Sequence, residues 1–218
     1  MADSNIICPP CPYTLSQISD YLHHISLPQQ FHPGADSKPD LGMLTALQRH
    51  HLGSIPFENL ALHYSPSRTP TRTVSLDPQA VYDKFINRRR GGYCMEQNMF
   101  FNYMLRGLGF QVYSTGARVR RREHGIPVGD YIGWSHVVNI VTLESSGESQ
   151  QFMVDVGFGG DGPTKPLLLT DWAVTRNLGT QEVMLKYENI DSNVDPRQKL
   201  WVYKIRNHEK DWWKGELQ

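Results

Sequence analysis

The sequence predicts an α+β chain, in which a helical N-terminal part gives way near residue 110 to an antiparallel β meander or barrel. Three observations predict it. Apolar residues recur at helical spacing in successive stretches up to Leu108. Past Gly109 the chain turns to short β-prone runs divided by Gly, Ser and Pro clusters, with no useful helical pattern between them. Just before that change, Cys94 follows Gly91-Gly92 at the head of the last helical stretch.

Bulk properties narrow the classes of function. The 218 residues suffice for one large domain or two small ones. Hydrophobic content of 39% and charged content of 20% suit a globular protein. Lys+Arg and Asp+Glu balance at 22 each, which gives no drive toward nucleic acid or an anionic membrane. No apolar run approaches the ~18 residues of a membrane span, and Met1-Ala2-Asp3-Ser4-Asn5 lacks the pattern of a signal peptide. Three cysteines do not make a disulfide framework. A cytoplasmic protein is expected. Its oligomeric state is not legible.

Residues 1–12 read as a flexible segment. They hold Cys8-Pro9-Pro10-Cys11, but no further ligands stand at metal spacing and no strand and helix flank the pair. Leu15, Ile18, Leu22 and Ile25 mark a first helix starting near Thr14. After a Pro- and Gly-rich loop, Leu41, Leu44, Leu47 and His51 mark a second, stopped by Gly53 and Pro56. His50 and His51 are read as helix-end histidines bonded to backbone or water. Asp77-Pro78 reads as cap and first turn of a third helix, with Val81, Phe85 and Ile86 inward and Arg88-Arg89-Arg90 as its solvated end. Phe100, Phe101, Met104, Leu105 and Leu108 form the inner face of the fourth.

That fourth helix opens on the thiol. A cysteine there sees unpaired backbone N–H groups and the positive end of the helix dipole, and both favour thiolate. Gly91 and Gly92 are read as allowing a tight turn and clearing space for a substrate. A cysteine buried in apolar surroundings is instead inert, and this stretch alone leaves both readings open.

Partners for a nucleophile stand on two later runs. His136 opens Val137–Leu143, and Asp155 lies in the apolar run Gln151–Val156, with the turn-rich Glu144–Ser149 between. Direct pairing of His136 with Asp155 would centre a hairpin inside that turn. The two side chains would then lie opposite, or two residues out of register, on one sheet face. A carboxylate among Val154 and Val156 needs a partner, because an unpaired buried charge is expensive. Cys94, His136 and Asp155 are therefore the expected catalytic triad.

Several segments together resemble the arylamine N-acetyltransferase family: Pro56-Phe57-Glu58-Asn59, Arg90-Gly91-Gly92-Tyr93-Cys94-Met95-Glu96-Gln97-Asn98, Leu108-Gly109-Phe110, Arg118-Val119, Ser135-His136, and Asp155-Val156-Gly157-Phe158-Gly159. The resemblance runs from about Tyr21 to Trp213. It implies a papain-like thiol-enzyme core: a helical domain over 13–110 carrying the cysteine, then a β-barrel over 111–199 carrying His and Asp. It also implies an α/β lid, of which 200–218 would be only the start, leaving Trp201, Trp212 and Trp213 short of cover.

The activity implied is ping-pong acyl transfer from acetyl-CoA, or another short acyl-CoA, through an acyl-cysteine to an arylamine or hydrazine. CoA is then a substrate, and no metal or tightly bound cofactor is expected. Phe57, Tyr93 and Phe158 are expected as walls of the acceptor site, Ile132 and Gly133 at the CoA site, and Ser135 as a substrate contact on that same stretch where relatives approach CoA. Arg118, Arg120, Arg121 and Arg122 are read first as solvated strand charges and second as phosphate contacts. Two other functions fit the triad or the shortened lid: a thiol hydrolase or transglutaminase-like enzyme, and an inactive paralogue.

Overall fold

The structure, a computed structural model, describes residues 10–34, 38–64, 74–124, 126–145 and 147–217. Cys8 lies outside them. Helix α1, Leu15–His24, starts on a capping box in which Gln17 N–H donates to Thr14 Oγ1 at 3.2 Å and Thr14 N–H donates to Gln17 Oε1 at 3.0 Å. Helix α2, Leu41–Ser54, is capped by Asp40. A short helix α3, Leu60–His63, follows. Helix α4, Pro78–Tyr82, is capped by Asp77 and runs on as a π-turn to Asn87. Helix α5, Cys94–Gly107, begins at the cysteine and ends before Gly109, whose φ of +87° suits glycine.

Eight strands follow: β1 Gln111–Glu123, β2 Ile126–Ser145, β3 Glu148–Val154, β4 Leu167–Leu168, β5 Thr175–Arg176, β6 Glu182–Glu188, β7 Leu200–Arg206 and β8 Lys214–Leu217. Where the sequence suggested short separate runs, β1 and β2 are long and continuous. Bulges keep them paired past the irregular residues, and Gly116 leaves room for the Trp134 ring, which a Cβ there would meet at 2.9 Å.

The expected barrel is not closed. The strand order is β4-β3-β2-β1-β8-β7-β6-β5, so two-residue strands stand at both edges. The loop from Asp155 to Pro166 holds four glycines and two prolines and carries no ladder onward from β3. Residues 200–217, expected to start a lid, instead supply two strands of this sheet, and β8 joins its halves through the pair Val119–Leu217. Trp212 is 91% exposed, while Trp213 is covered by the Arg206 guanidinium 4.5 Å from its ring.

Two cores result. One joins the helices to a sheet face: Tyr21, Leu47, Phe85, Phe101 and Leu105 pack with Val141 and Val154. Each such side chain contributes about 1.5–3 kcal/mol by leaving water. The other lies between the sheet halves, where Val138 and Met153 meet Leu185 and Tyr203.

The glycines before Cys94 have a packing role that corrects their expected one. A Cβ on Gly91 would lie 1.7 Å from Pro56 O, and one on Gly92 would strike the Phe85 ring at 2.6 Å. They let residues 56–58 lie against 92, where Gly92 N–H donates to Pro56 O at 3.2 Å and Glu58 N–H donates to Gly92 O at 3.0 Å. Gly91→Ala is accordingly expected to destabilise the fold by about 3 kcal/mol, read by equilibrium urea unfolding. A loss under about 1 kcal/mol would contradict this packing.

Candidate active site

Cys94 is the first residue of α5 and 5% exposed. The first backbone bond of the helix is made by Gln97 N–H to Tyr93 O at 3.0 Å, so the N–H groups of residues 94–96 precede it. Glu96 turns back to accept the Tyr93 N–H at 2.8 Å. Its carboxylate, 3% exposed, is held in turn by Lys84 Nζ at 2.9 and 3.1 Å. Lys84 also lies 3.6 Å from Glu58, which accepts from Arg90 at 2.8 Å. Two carboxylates and two cations thus brace the loop entering the cysteine.

The partners expected from the sequence are at hand. His136 Nε2–H donates to Asp155 Oδ2 at 2.7 Å, both residues being buried. The ladder between β2 and β3 pairs Asn139 with Val154, which would set Asp155 opposite Val138. The His and Asp are therefore two residues out of register, the second of the two arrangements expected. A β-bulge sits beside them: Ala117 pairs with His136 but Arg118 with Trp134, leaving Ser135 as the extra residue. The carbonyl of Ser135 is then turned to Cys94, whose Sγ lies 3.9 Å away. The Cys94 side chain also acts on the imidazole electrostatically, and with Nε2 committed to Asp155 the nitrogen left for it is Nδ1.

Sequence reasoning quoted Asn98 without giving it a role. It stands one turn after Cys94 and donates through Nδ2 to Asp155 Oδ1 and to Val137 O, both at 2.8 Å. Its Oδ1 accepts the Val156 N–H at 3.0 Å. Gly157 N–H gives Asp155 Oδ1 another bond at 2.8 Å. Gly157 itself has to be glycine, since a Cβ there would lie 2.6 Å from Cys94 O and 2.8 Å from Asn98 Nδ2. The i, i+4 spacing of Cys94 and Asn98 was the available signal, because it sets both on one helix face.

Charge follows from these contacts. Burial alone would lower the His136 pKa, but the Asp155 carboxylate and then the Cys94 sulfur outweigh it and raise it to about 10. Burial alone would raise that of Asp155, but the His136 charge, the bond from Asn98 and the Gly157 N–H hold it below the ordinary carboxylate value. An imidazolium between a carboxylate and a cysteine side chain can donate a proton and, once neutral, accept one.

The other expected residues are distributed around this centre. Phe57, 46% exposed, has its ring 5.8 Å from that of Tyr93. Phe158 packs edge-on to His136 at 5.6 Å. Ile132 and Gly133 are exposed on β2, and Trp134 beside them, passed over in the sequence, is 70% exposed above Gly116. Arg118 donates to the carbonyls of Ile132 and Tyr131, and Arg120 to Gly129 O, so both serve the bulged stretch of β2. Arg122 pairs with Asp161. His51 departs from expectation: it is fully buried and bonded to side chains, whereas His50 meets Ile25 O at 3.0 Å, as a helix-end histidine should. Among the described residues no helix is long and apolar enough to cross a membrane.

Comparison with known proteins places this geometry among relatives. A family model described as N-acetyltransferase matches residues 40–213. An N-malonyltransferase of Fusarium pseudograminearum is 35% identical over 215 residues, covering 90% of this chain and 60% of that protein. The pineal gland arylamine N-acetyltransferase of Gallus gallus is 36% identical over 142 residues, 65% of this chain and 43% of its own. Among solved structures, the arylamine N-acetyltransferase of Mycobacterium abscessus matches with a TM-score of 0.72 at 28% identity, covering 92% of this chain and 62% of that one. That of M. tuberculosis gives 0.67 at 32% identity, covering 92% and 64%. The chain thus spans 43–60% of the length of these curated relatives.

The buried pair makes stability depend on pH. His136 holds its proton more tightly folded than unfolded, so its contribution is complete below 6.5 and is lost as pH rises through about 10. Asp155 holds its proton less tightly when folded, so its contribution is present above 3.8 and is lost as pH falls through the depressed value. Between pH 6.5 and 10 the thermal midpoint of the wild type should fall more steeply than that of Asp155→Asn. Parallel curves would show that the pair adds nothing.

Proposed function

The chain belongs to the arylamine N-acetyltransferase family, and on that premise we propose that it transfers a short acyl group from an acyl-CoA thioester to an aromatic amine or hydrazine by way of Cys94. The observation that carries this reading is the buried His136–Asp155 pair, 2.7 Å apart, beside a cysteine at the head of α5 whose Sγ lies 3.9 Å from the carbonyl of Ser135, the residue before the histidine.

In the first half-reaction the Cys94 thiolate attacks the thioester carbonyl carbon. The carbon–sulfur bond to CoA breaks, and the imidazolium of His136 gives its proton to the departing CoA thiolate. The N–H groups at the head of α5 are the donors nearest the developing oxyanion. In the second half-reaction an amine nitrogen attacks the acyl-cysteine, neutral His136 takes the nitrogen's proton, and the Cys94 thiolate leaves. One thioester is exchanged for another before the amide forms, so the intermediate is stored at little energetic loss.

Exposed Phe57 and half-buried Tyr93, with Phe158 on the His136 side, suit a flat acceptor. Ile132, Gly133 and Ser135, on the strand leading into His136, are proposed to meet the CoA arm. The match to an N-malonyltransferase over 90% of this chain supports malonyl beside acetyl as the group carried.

Mixing the protein with acetyl-CoA or malonyl-CoA and no amine tests the reading by intact mass. Cys94 is expected to gain one acyl group, with free CoA released in equal amount, and an added arylamine should then discharge it. Cys94→Ala should gain nothing, and His136→Ala should slow loading by at least about 100-fold. Loading discharged by water as fast with amine as without would point instead to a thiol hydrolase. Equal labelling of wild type and Cys94→Ala would refute the reading.

A further inference from the structure

Within the helical domain, a buried side-chain chain ends on the backbone beneath the aromatic pair yet touches none of the reacting groups. Tyr21, His51 and Gln97 are each 0% exposed. Gln97 follows Cys94 by three residues and directs its amide nitrogen at backbone carbonyls: Pro56 O at 2.9 Å, Ile55 O at 3.3 Å and Gly92 O at 3.5 Å. Its Oε1 is thereby left for His51 Nε2, 2.8 Å away. Nε2 is then the donor of that ring, and Nδ1 accepts from the Tyr21 O–H at 3.2 Å. One tautomer satisfies every member of the chain.

We infer that His51 is a positioning residue: by fixing the Gln97 amide it holds the Pro56–Phe57 backbone against Gly92, and with it the Phe57–Tyr93 ring pair beside Cys94. The part of this that concerns an acceptor amine rests on the proposed function; the part that concerns the backbone does not. Gln97 bonds carbonyls on both sides of the Phe57–Gly92 bridge, so it clamps two segments that have only a single bridge between them. A glutamine amide can flip or swing, and a flip would set its NH2 against the His51 N–H and its oxygen against three carbonyls. The His51 N–H forbids it.

The ring of His51 is itself fixed, edge-on to Phe101 at 5.0 Å. Burial keeps it neutral, with a pKa of about 4 despite the opposing pull of the Gln97 bond, so the tautomer persists across the working range of pH. His51 stands in the last turn of α2, as the sequence predicts, but it bonds side chains of two other helices in place of backbone or water.

Residue-resolved amide hydrogen exchange tests the inference without any turnover. In His51→Leu the Glu58 and Gly92 amides should exchange about tenfold faster than in wild type, while Leu105 and Val141 stay unchanged. His51→Gln, whose amide nitrogen reaches the place of Nε2, should restore slow exchange. Should His51→Leu not fold, Gln97→Met cuts the same link and should give the same selective pattern. Unchanged exchange at Glu58 and Gly92, or equal acceleration throughout α5 and β2, would overturn the inference.

In kinetics, His51→Leu should raise the KM for an arylamine about fivefold while leaving CoA release without acceptor unchanged. Equal slowing of CoA release would put the effect on the thiol and overturn it as well. A wild type that transfers no acyl group would refute the proposed function, and the exchange pattern would still decide the role of His51.

Discussion

The side chain on which the site depends is Asn98. Its amide bonds Asp155, Val137 and Val156 at once, so a single residue of α5 holds the carboxylate, the strand bearing His136 and the loop leaving β3. Lengthening any of these bonds would leave a buried donor or acceptor without its partner, which costs about 1–3 kcal/mol for a neutral group and more for a charged one. The Asp155 carboxylate is such a charged group. Burial alone would raise its pKa, and the Asn98 and Gly157 donors add to the His136 charge in holding it down, while the ionised carboxylate in turn raises that of His136. The packing of one helix on one sheet thus contributes to the charge state of the centre.

The neighbours of Asn98 divide the remaining work. Glu96 turns outward to cap the helix and meet Lys84, Gln97 turns to the 55–57 segment, and Asn98 turns to the sheet. Successive residues of a helix point about 100° apart, so three in a row reach three different bodies. Farther along the same helix, Asn102 donates to Asn139 Oδ1 at 2.9 Å, and Asn139 returns a bond to Asn98 O at 2.9 Å. The thiol at the head of the helix is placed by all of them and could not shift without breaking several buried bonds.

Much of this arrangement was legible in the sequence. The helix start near Thr14, the cap at Asp77 and the apolar spacing of α5 read correctly, because each is local chemistry acting within a few residues. The His136–Asp155 pairing was legible because strand geometry restricts a hairpin to a few registers. Closure of the barrel was misjudged. It depends on whether distant edges meet, and two-residue strands such as β4 and β5 leave no periodic mark. The roles of Gly91, Gly92 and Gly157 were hidden for a related reason. A glycine required because another backbone lies within 3 Å looks, in sequence, the same as one required by a turn. His51 does stand in the last turn of its helix, but its side-chain partners were hidden because Tyr21 and Gln97 lie thirty and forty-six residues away.

The open sheet bears on the chemistry less than its size suggests. Cys94, His136, Asp155 and the donors to its carboxylate all fall between residues 94 and 157, on α5, β2 and the turn just past β3. Strands β4 to β8 lie beyond, and they reach the centre through Phe158, whose ring packs between His136 and Tyr203 of β7. Two demands on the protein are thereby separated. Charging the imidazole and presenting the sulfur is done by a compact, densely bonded unit whose stability comes from the helical core. Under the proposed function, gripping a CoA arm would fall to exposed residues on β2, beside the sheet half that Phe158 and the Val119–Leu217 pair tie on. On that proposal, changes in β4 to β8 would bear on which thioester is held and leave the thiol, the imidazole and the carboxylate in register.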